Sequence, residues 1–328
     1  MTVPNLQDVE AAALRIAGHA VQTPLLESLE LNARVGGRVL IKPEVLQRTG
    51  SFKFRGALNR ISLIPEAERQ KGVVAFSSGN HAQGVAAAAA IFNIPAVIVM
   101  PKDAPRAKLD GTRALGAEVV LYDRLKDDRE AIAKEFCRRR GATLVKPFDD
   151  PFVVAGQGTV GLEIAGDVGR RGLSLNAVLA PAGGAGLVSG IALGVSTLDP
   201  RPQVVSVEPE NYDGLRRSLE EGTRTRASGG ELSVADALMA PMPGEIPFAV
   251  AREHVAYGLA VGDVDLLRAV AFAARHLKLI VEPGGAAALA AILSGRFCAN
   301  GQTVAVVLTG GNCDIETVAK ACLATTDI

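Results

Sequence analysis

Ala177-Val178-Leu179-Ala180-Pro181-Ala182-Gly183-Gly184-Ala185-Gly186-Leu187 is the stretch on which the reading of this chain turns. Its first five residues are apolar without alternation, as in a strand buried on both faces. The glycines break that run, and from Leu187 to Ser196 the pattern becomes helical. Strand, glycine turn and helix together form the repeating unit of open α/β sheets. Backbone amides freed at such a helix N-terminus, aided by the helix dipole, make an anion site. Gly184-Ala185-Gly186, followed by a strand ending in Glu208, also imitates a dinucleotide fingerprint, but its third glycine position is Ser189, with glycine displaced to Gly190. A nucleotide, a cofactor phosphate and plain tight packing all remain open for this loop.

Outward from it the same rhythm recurs. Strands are expected at Val39–Glu44, Val73–Ser78, Ala96–Met100, Glu118–Tyr122, Thr143–Pro147, Ala177–Pro181, Gln203–Glu208 and Thr303–Leu308. Helices are expected at His81–Phe92, Pro105–Leu115, Asp127–Arg139, Thr159–Val168, Leu187–Ser196 and Val264–Leu277, the last capped by Asp263. The expected fold class is α/β, with two open twisted parallel sheets. Ligands of such sheets sit beyond the carboxyl ends of the strands. The least patterned segment, Glu220–Pro247, reads as a long loop near a site entrance.

Bulk properties narrow the function classes. The 328 residues are 48% hydrophobic, so a large core is available. Lys plus Arg and Asp plus Glu are 35 each, and aromatics are only 4%, which gives no footprint for nucleic acid or an anionic membrane. Cys137, Cys298, Cys313 and Cys322 lack any C-x-x-C spacing and read as reduced thiols of a cytoplasmic protein. The polar stretch Met1–Glu10 does not read as a signal peptide. No His and Cys spacing suggests a metal.

Four segments carry chemistry. In Ser51-Phe52-Lys53-Phe54-Arg55-Gly56-Ala57, burial between two phenylalanines would favour the neutral, nucleophilic amine of Lys53, with Ser51 as the cap of the following helix. A surface lysine at a helix start is the bland alternative. Ser77-Ser78-Gly79-Asn80-His81 offers backbone donors for a carboxylate, an amide for a phenolic oxygen and a hydroxyl at Ser78 able to move a proton. Ordinary capping by Ser78 and a hydrogen-bonded His81 are the simpler readings there. Thr309-Gly310-Gly311-Asn312 places a hydroxyl at the end of a buried strand, where it needs a partner such as a pyridine nitrogen. A desolvated lysine facing a phosphate loop suits an aldehyde cofactor that carries a phosphate, namely pyridoxal 5′-phosphate (PLP).

Together with Thr23-Pro24-Leu25, Ala155-Gly156-Gln157-Gly158-Thr159 and Glu282-Pro283, these segments resemble, in order and over nearly the whole chain, the fold-type II PLP enzymes. The resemblance is to their threonine dehydratase (threonine ammonia-lyase) and serine racemase group, whose architecture is like the tryptophan synthase beta-subunit. It implies a discontinuous large PLP-binding domain, 1–71 with 150–328, and a small domain, 72–149. It also implies a Schiff base at Lys53, Phe52 beside the cofactor ring, and Asn80 at its 3′ oxygen. The backbone of Gly183, Gly184, Ala185, Gly186 and Leu187 would hold the phosphate, and Thr309 would meet the pyridine nitrogen. Ala185 stands where the family often has glycine.

Lys53 and Ser78 are the implied catalytic residues; Ser77, Ser78, Asn80, His81 and Arg129 are implied at the substrate. The implied reaction is β-elimination from L-threonine or L-serine to a 2-oxo acid and ammonia. Ser78 and Arg129 keep serine racemase and 3-hydroxyaspartate dehydratase as alternatives. Gly214 replaces an acidic ligand of the racemase metal site, so no metal is expected although Glu208 matches. A homodimer follows by analogy. The sequence ends soon after Thr309, so no regulatory domain and no isoleucine feedback are expected.

Overall fold

A computed structural model describes residues 2–77, 79–104 and 106–324. Ten strands form two sheets among these residues. The larger has the order β1-β2-β10-β7-β8-β9, from Leu26–Glu27, Arg38–Pro43, Thr303–Leu308, Ala177–Pro181, Gln203–Pro209 and Tyr257–Val261. The smaller has the order β5-β4-β3-β6, from Glu118–Tyr122, Ala96–Pro101, Val73–Phe76 and Thr143–Leu144. Only β1, paired with β2, runs antiparallel to its neighbour among these strands.

Period-2 side-chain geometry explains why the central strands are apolar throughout. Val39, Ile41, Leu179, Val205, Val304 and Val306 enter the core on one face of the large sheet. Leu40, Val178, Ala180, Val204, Ala305 and Val307 enter the core on the other. The small sheet is covered likewise, with Val73, Ala75 and Ile98 on one face and Val74, Phe76, Val97 and Val99 on the other.

The expected strands are all present, although β6 stops at Leu144. Two more were not anticipated: the two-residue β1 and the edge strand β9, whose short run is interrupted by Gly258 and whose residues are mostly half-exposed. The helix expected from Thr159 begins at Pro151, where Asp150 accepts from Phe152 N and Val153 N. Asp263 is not a cap. Helix Asp263–Phe272 follows Gly262, and the Asp263 carboxylate instead accepts from Ser233 Oγ and Val234 N. Nor does Ser51 cap helix Lys53–Ser62; that helix follows Phe52 with no side-chain cap, and the Ser51 hydroxyl is buried without a partner among the described residues.

Gly190, which the dinucleotide pattern leaves out of place, has a packing reason. A Cβ there would lie 2.5 Å from Val154 O and 2.6 Å from Gly158 N, on helix Pro151–Arg170. Glycine lets helix Gly186–Gly194 press directly against that backbone.

Candidate active site

The carboxyl ends of β3, β7 and β10 open onto one cleft of about 220 Å3 between the two sheets. Phe52, Lys53, Ser77, Asn80, His81, Arg129, Gly183, Gly184, Ala185, Gly186, Leu187 and Thr309 all line it. Ser78 lies outside the described residues.

Lys53 opens helix Lys53–Ser62. Its Nζ donates to Pro147 O at 2.8 Å and lies 5.1 Å from the centre of the Phe52 ring. Burial lowers its pKa from 10.5 to about 8, and the Glu282 carboxylate opposes that shift. Phe54 does not share in this as expected. It points into the core, where the Arg48 guanidinium lies 5.7 Å from its ring centre. Successive helical side chains diverge by about 100°, so two neighbours of one residue cannot both flank it.

The glycine loop turns through Ala185 in the left-handed region, at φ 71° and ψ 0°, and feeds helix Gly186–Gly194. No side chain caps that helix, so its first amides are left for a ligand in the cleft. Gly184 is required by close approach, since a Cβ there would fall 2.2 Å from Phe148 ring atoms.

Asn80 starts helix Asn80–Ile91. Its Nδ2 donates to Glu282 Oε1 at 2.5 Å, and its Oδ1 accepts from Asn312 Nδ2 at 2.8 Å. One Nδ2 proton remains for a ligand. Burial raises Glu282 to about 7. His81 is buried and, chiefly through that burial, pushed down to about 3, hence neutral. Because Val145 O can only accept, Nε2 carries the proton of the 2.9 Å bond to it. Ser77 Oγ accepts from Gly79 N at 3.1 Å. Thr309 is 5% exposed and directly follows β10, and its hydroxyl has no partner among the described residues. Arg129, exposed at the start of helix Arg129–Arg140, lies 5.4 Å from the centre of the Phe76 ring.

Sequence reasoning missed Lys108, Phe148 and Asp236, which also line the cleft, and assigned Glu282 no role. Lys108 and Phe148 lie in segments without a glycine or hydroxyl signature, and all four residues reach the cleft only through the tertiary fold. The buried charge cluster behind Lys53 went unread as well. Arg55 bonds Glu44 through Nε and Nη2, both at 2.8 Å, and reaches Glu163 at 2.6 Å; Lys42 Nζ meets Glu163 at 2.6 Å. A lone arginine in an apolar helix face was its available signal.

A lysine with a lowered pKa, an uncapped helix N-terminus, an amide with a spare proton and a free hydroxyl fit a phosphate-bearing pyridine aldehyde. The site and fold define a PLP-dependent enzyme of fold type II. Residues 16–310 match the family described as "Pyridoxal-phosphate dependent enzyme", and the chain belongs to that family. It is 43% identical to the L-threo-3-hydroxyaspartate ammonia-lyase of Pseudomonas sp, over 98% of this chain and 99% of the relative. It is 40% identical to the serine racemase of Schizosaccharomyces pombe, over 96% of each. The solved threonine deaminase of T.th. is 45% identical and superimposes with a TM-score of 0.88, over 95% of this chain and 99% of that one. The cofactor is therefore PLP. Among the described residues no helix is long and apolar enough to cross a membrane, and none forms a group of three or more His, Cys, Asp or Glu suited to a metal.

Proposed function

We propose that this enzyme is an ammonia-lyase of β-hydroxy amino acids, converting L-threonine or L-serine to a 2-oxo acid and ammonia. The carrying observation is the Lys53 amine, partly buried on the cleft floor with its pKa lowered to about 8. PLP supplies an aldehyde that captures the substrate amine and a conjugated ring that takes up the electrons of the broken Cα–H bond. Lys53 would hold the cofactor through its amine, and the same amine, with its lowered pKa, is placed to take up the Cα proton of the substrate. The amides from Gly183 to Leu187 hold the phosphate, and Phe52 packs beside the ring. Asn80 would donate a hydrogen bond from its remaining Nδ2–H to the phenolic oxygen, and the neutral Thr309 hydroxyl would meet the pyridine nitrogen without protonating it, which suits elimination better than transamination. The loop from Ser77 to His81 holds the substrate α-carboxylate. Water is lost across Cα–Cβ, and the released enamine hydrolyses to oxo acid and ammonia. Replacing Lys53 with Ala should abolish 2-oxo acid formation; production at the wild-type rate would refute the scheme.

A second reading, 3-hydroxyaspartate as substrate, is favoured by Arg129. This guanidinium lines the cleft without an ion-pair partner among the described residues. The racemase alternative depends on Ser78, and incubation with L-serine, following D-serine against pyruvate, separates it. The proposal extends to a cytoplasmic homodimer without nucleic-acid or membrane partners. It also includes a small domain, 72–149, that closes on the large one, 1–71 with 150–328, to exclude water.

A further inference from the structure

Lys108 and Asp236, both in the cleft, take no part in the steps above. Lys108, on helix Arg106–Ala114, donates to Asp236 Oδ2 at 3.3 Å, and Asp236 comes from the opposite wall, in the turn Asp236–Leu238. The lysine side chain is 13% exposed and the aspartate 54%, so the cation faces inward and the anion sits at the mouth. A Cβ on Gly79 would come within 3.4 Å of the Lys108 ammonium, which therefore lies against Gly79. Both charges reach the cleft floor: at Glu282, Lys108 favours the carboxylate and Asp236 disfavours it.

The contact is long for a charged pair, which closes to about 2.7–2.9 Å when well formed. An exposed carboxylate on a single ammonium gains little from it, so a ligand carboxylate can take its place. The small-sheet wall thus carries two cations, Lys108 and Arg129, and only Lys108 has an ionic partner among the described residues.

We propose that Lys108 is a specificity-determining residue: with Arg129 it receives the side-chain carboxylate of a dicarboxylic substrate, and Asp236 occupies it when the substrate brings none. The proposal rests on the ammonia-lyase reading and deepens it. Threonine and serine leave the Lys108–Asp236 pair intact across the cleft. A dicarboxylic substrate must displace Asp236 and is repelled by it. Lys108 therefore pulls the enzyme toward dicarboxylates, and Asp236 pulls it away.

The test compares kcat/KM for L-threo-3-hydroxyaspartate and L-threonine in the wild-type, Lys108→Met, Lys108→Arg and Asp236→Asn holoenzymes. Calorimetric titration with succinate, a non-reacting dicarboxylate, accompanies it. Lys108→Met should lower the hydroxyaspartate-to-threonine ratio by about tenfold or more, mainly through KM, and weaken succinate binding by about the same factor. Lys108→Arg should restore the ratio to within about threefold, as the charge is kept. Asp236→Asn should move ratio and succinate affinity upward, by about threefold or more. Unchanged ratios in Lys108→Met and Asp236→Asn, with elimination intact, overturn the inference. Should wild type eliminate from no hydroxy amino acid, the parent reading falls. The succinate titrations then decide the role of Lys108 alone: opposite shifts in the two variants support it, and no shifts overturn it.

Discussion

Lys53 shows how one position can be useful in chemistry and costly in folding. Taking its ammonium out of water disfavours the charged form, which is why the pKa falls from 10.5 to about 8. The unfolded chain then holds a proton that the folded one releases between those two values. Cofactor-free protein should therefore gain stability as pH rises from about 8 to 10.5, by about 3 kcal/mol from this group. Below pH 8 both states are protonated and the penalty is complete. Urea unfolding of wild-type and Lys53→Met apoprotein across this range isolates the effect. The variant should start more stable at pH 7 and its advantage should shrink toward pH 10.5; a constant difference would contradict the assignment.

At the level of elements, the charge cluster behind Lys53 fixes the helix that presents it. Arg55 and Glu44 are both fully buried, and Glu44 is held below the usual carboxylate range by the Arg55 guanidinium in spite of its burial. Thr23 Oγ1 donates to the same carboxylate at 2.6 Å. Glu163 carries the network to helix Pro151–Arg170. Arg55→Met should cost about 3–5 kcal/mol, because it strands Glu44 in the interior. The urea midpoint should fall with an unchanged slope; a loss under about 1 kcal/mol would show that Lys42 and Thr23 suffice.

For the whole molecule, the parallel strands were legible because burial on both faces writes itself as continuous apolar runs, as in Ala177–Pro181. Edge strand β9 was not, since Gly258 interrupts its five-residue run and its half-exposed residues need no long apolar stretch. The cleft was legible wherever a strand ends in glycines or hydroxyls, and opaque at Lys108 and Asp236, which meet across 128 residues of chain. Because elements from both sheets line the cleft, the bound cofactor should stabilise the assembled fold. With PLP at about 1,000 times its dissociation constant, the gain over apoprotein should be about 4 kcal/mol. Thermal midpoints that do not rise with added PLP would contradict this.

The bare helix crossing at Gly190 and Gly158 has a practical consequence for anyone diversifying this enzyme. One added methyl at Gly190 would strike main-chain atoms of the neighbouring helix, which no rotamer change can relieve. The strike would be transmitted to the phosphate loop at the head of the same helix. Libraries aimed at new substrates should leave that seam invariant and spend their diversity on residues 236–241, which border the cleft from a stretch with little regular structure.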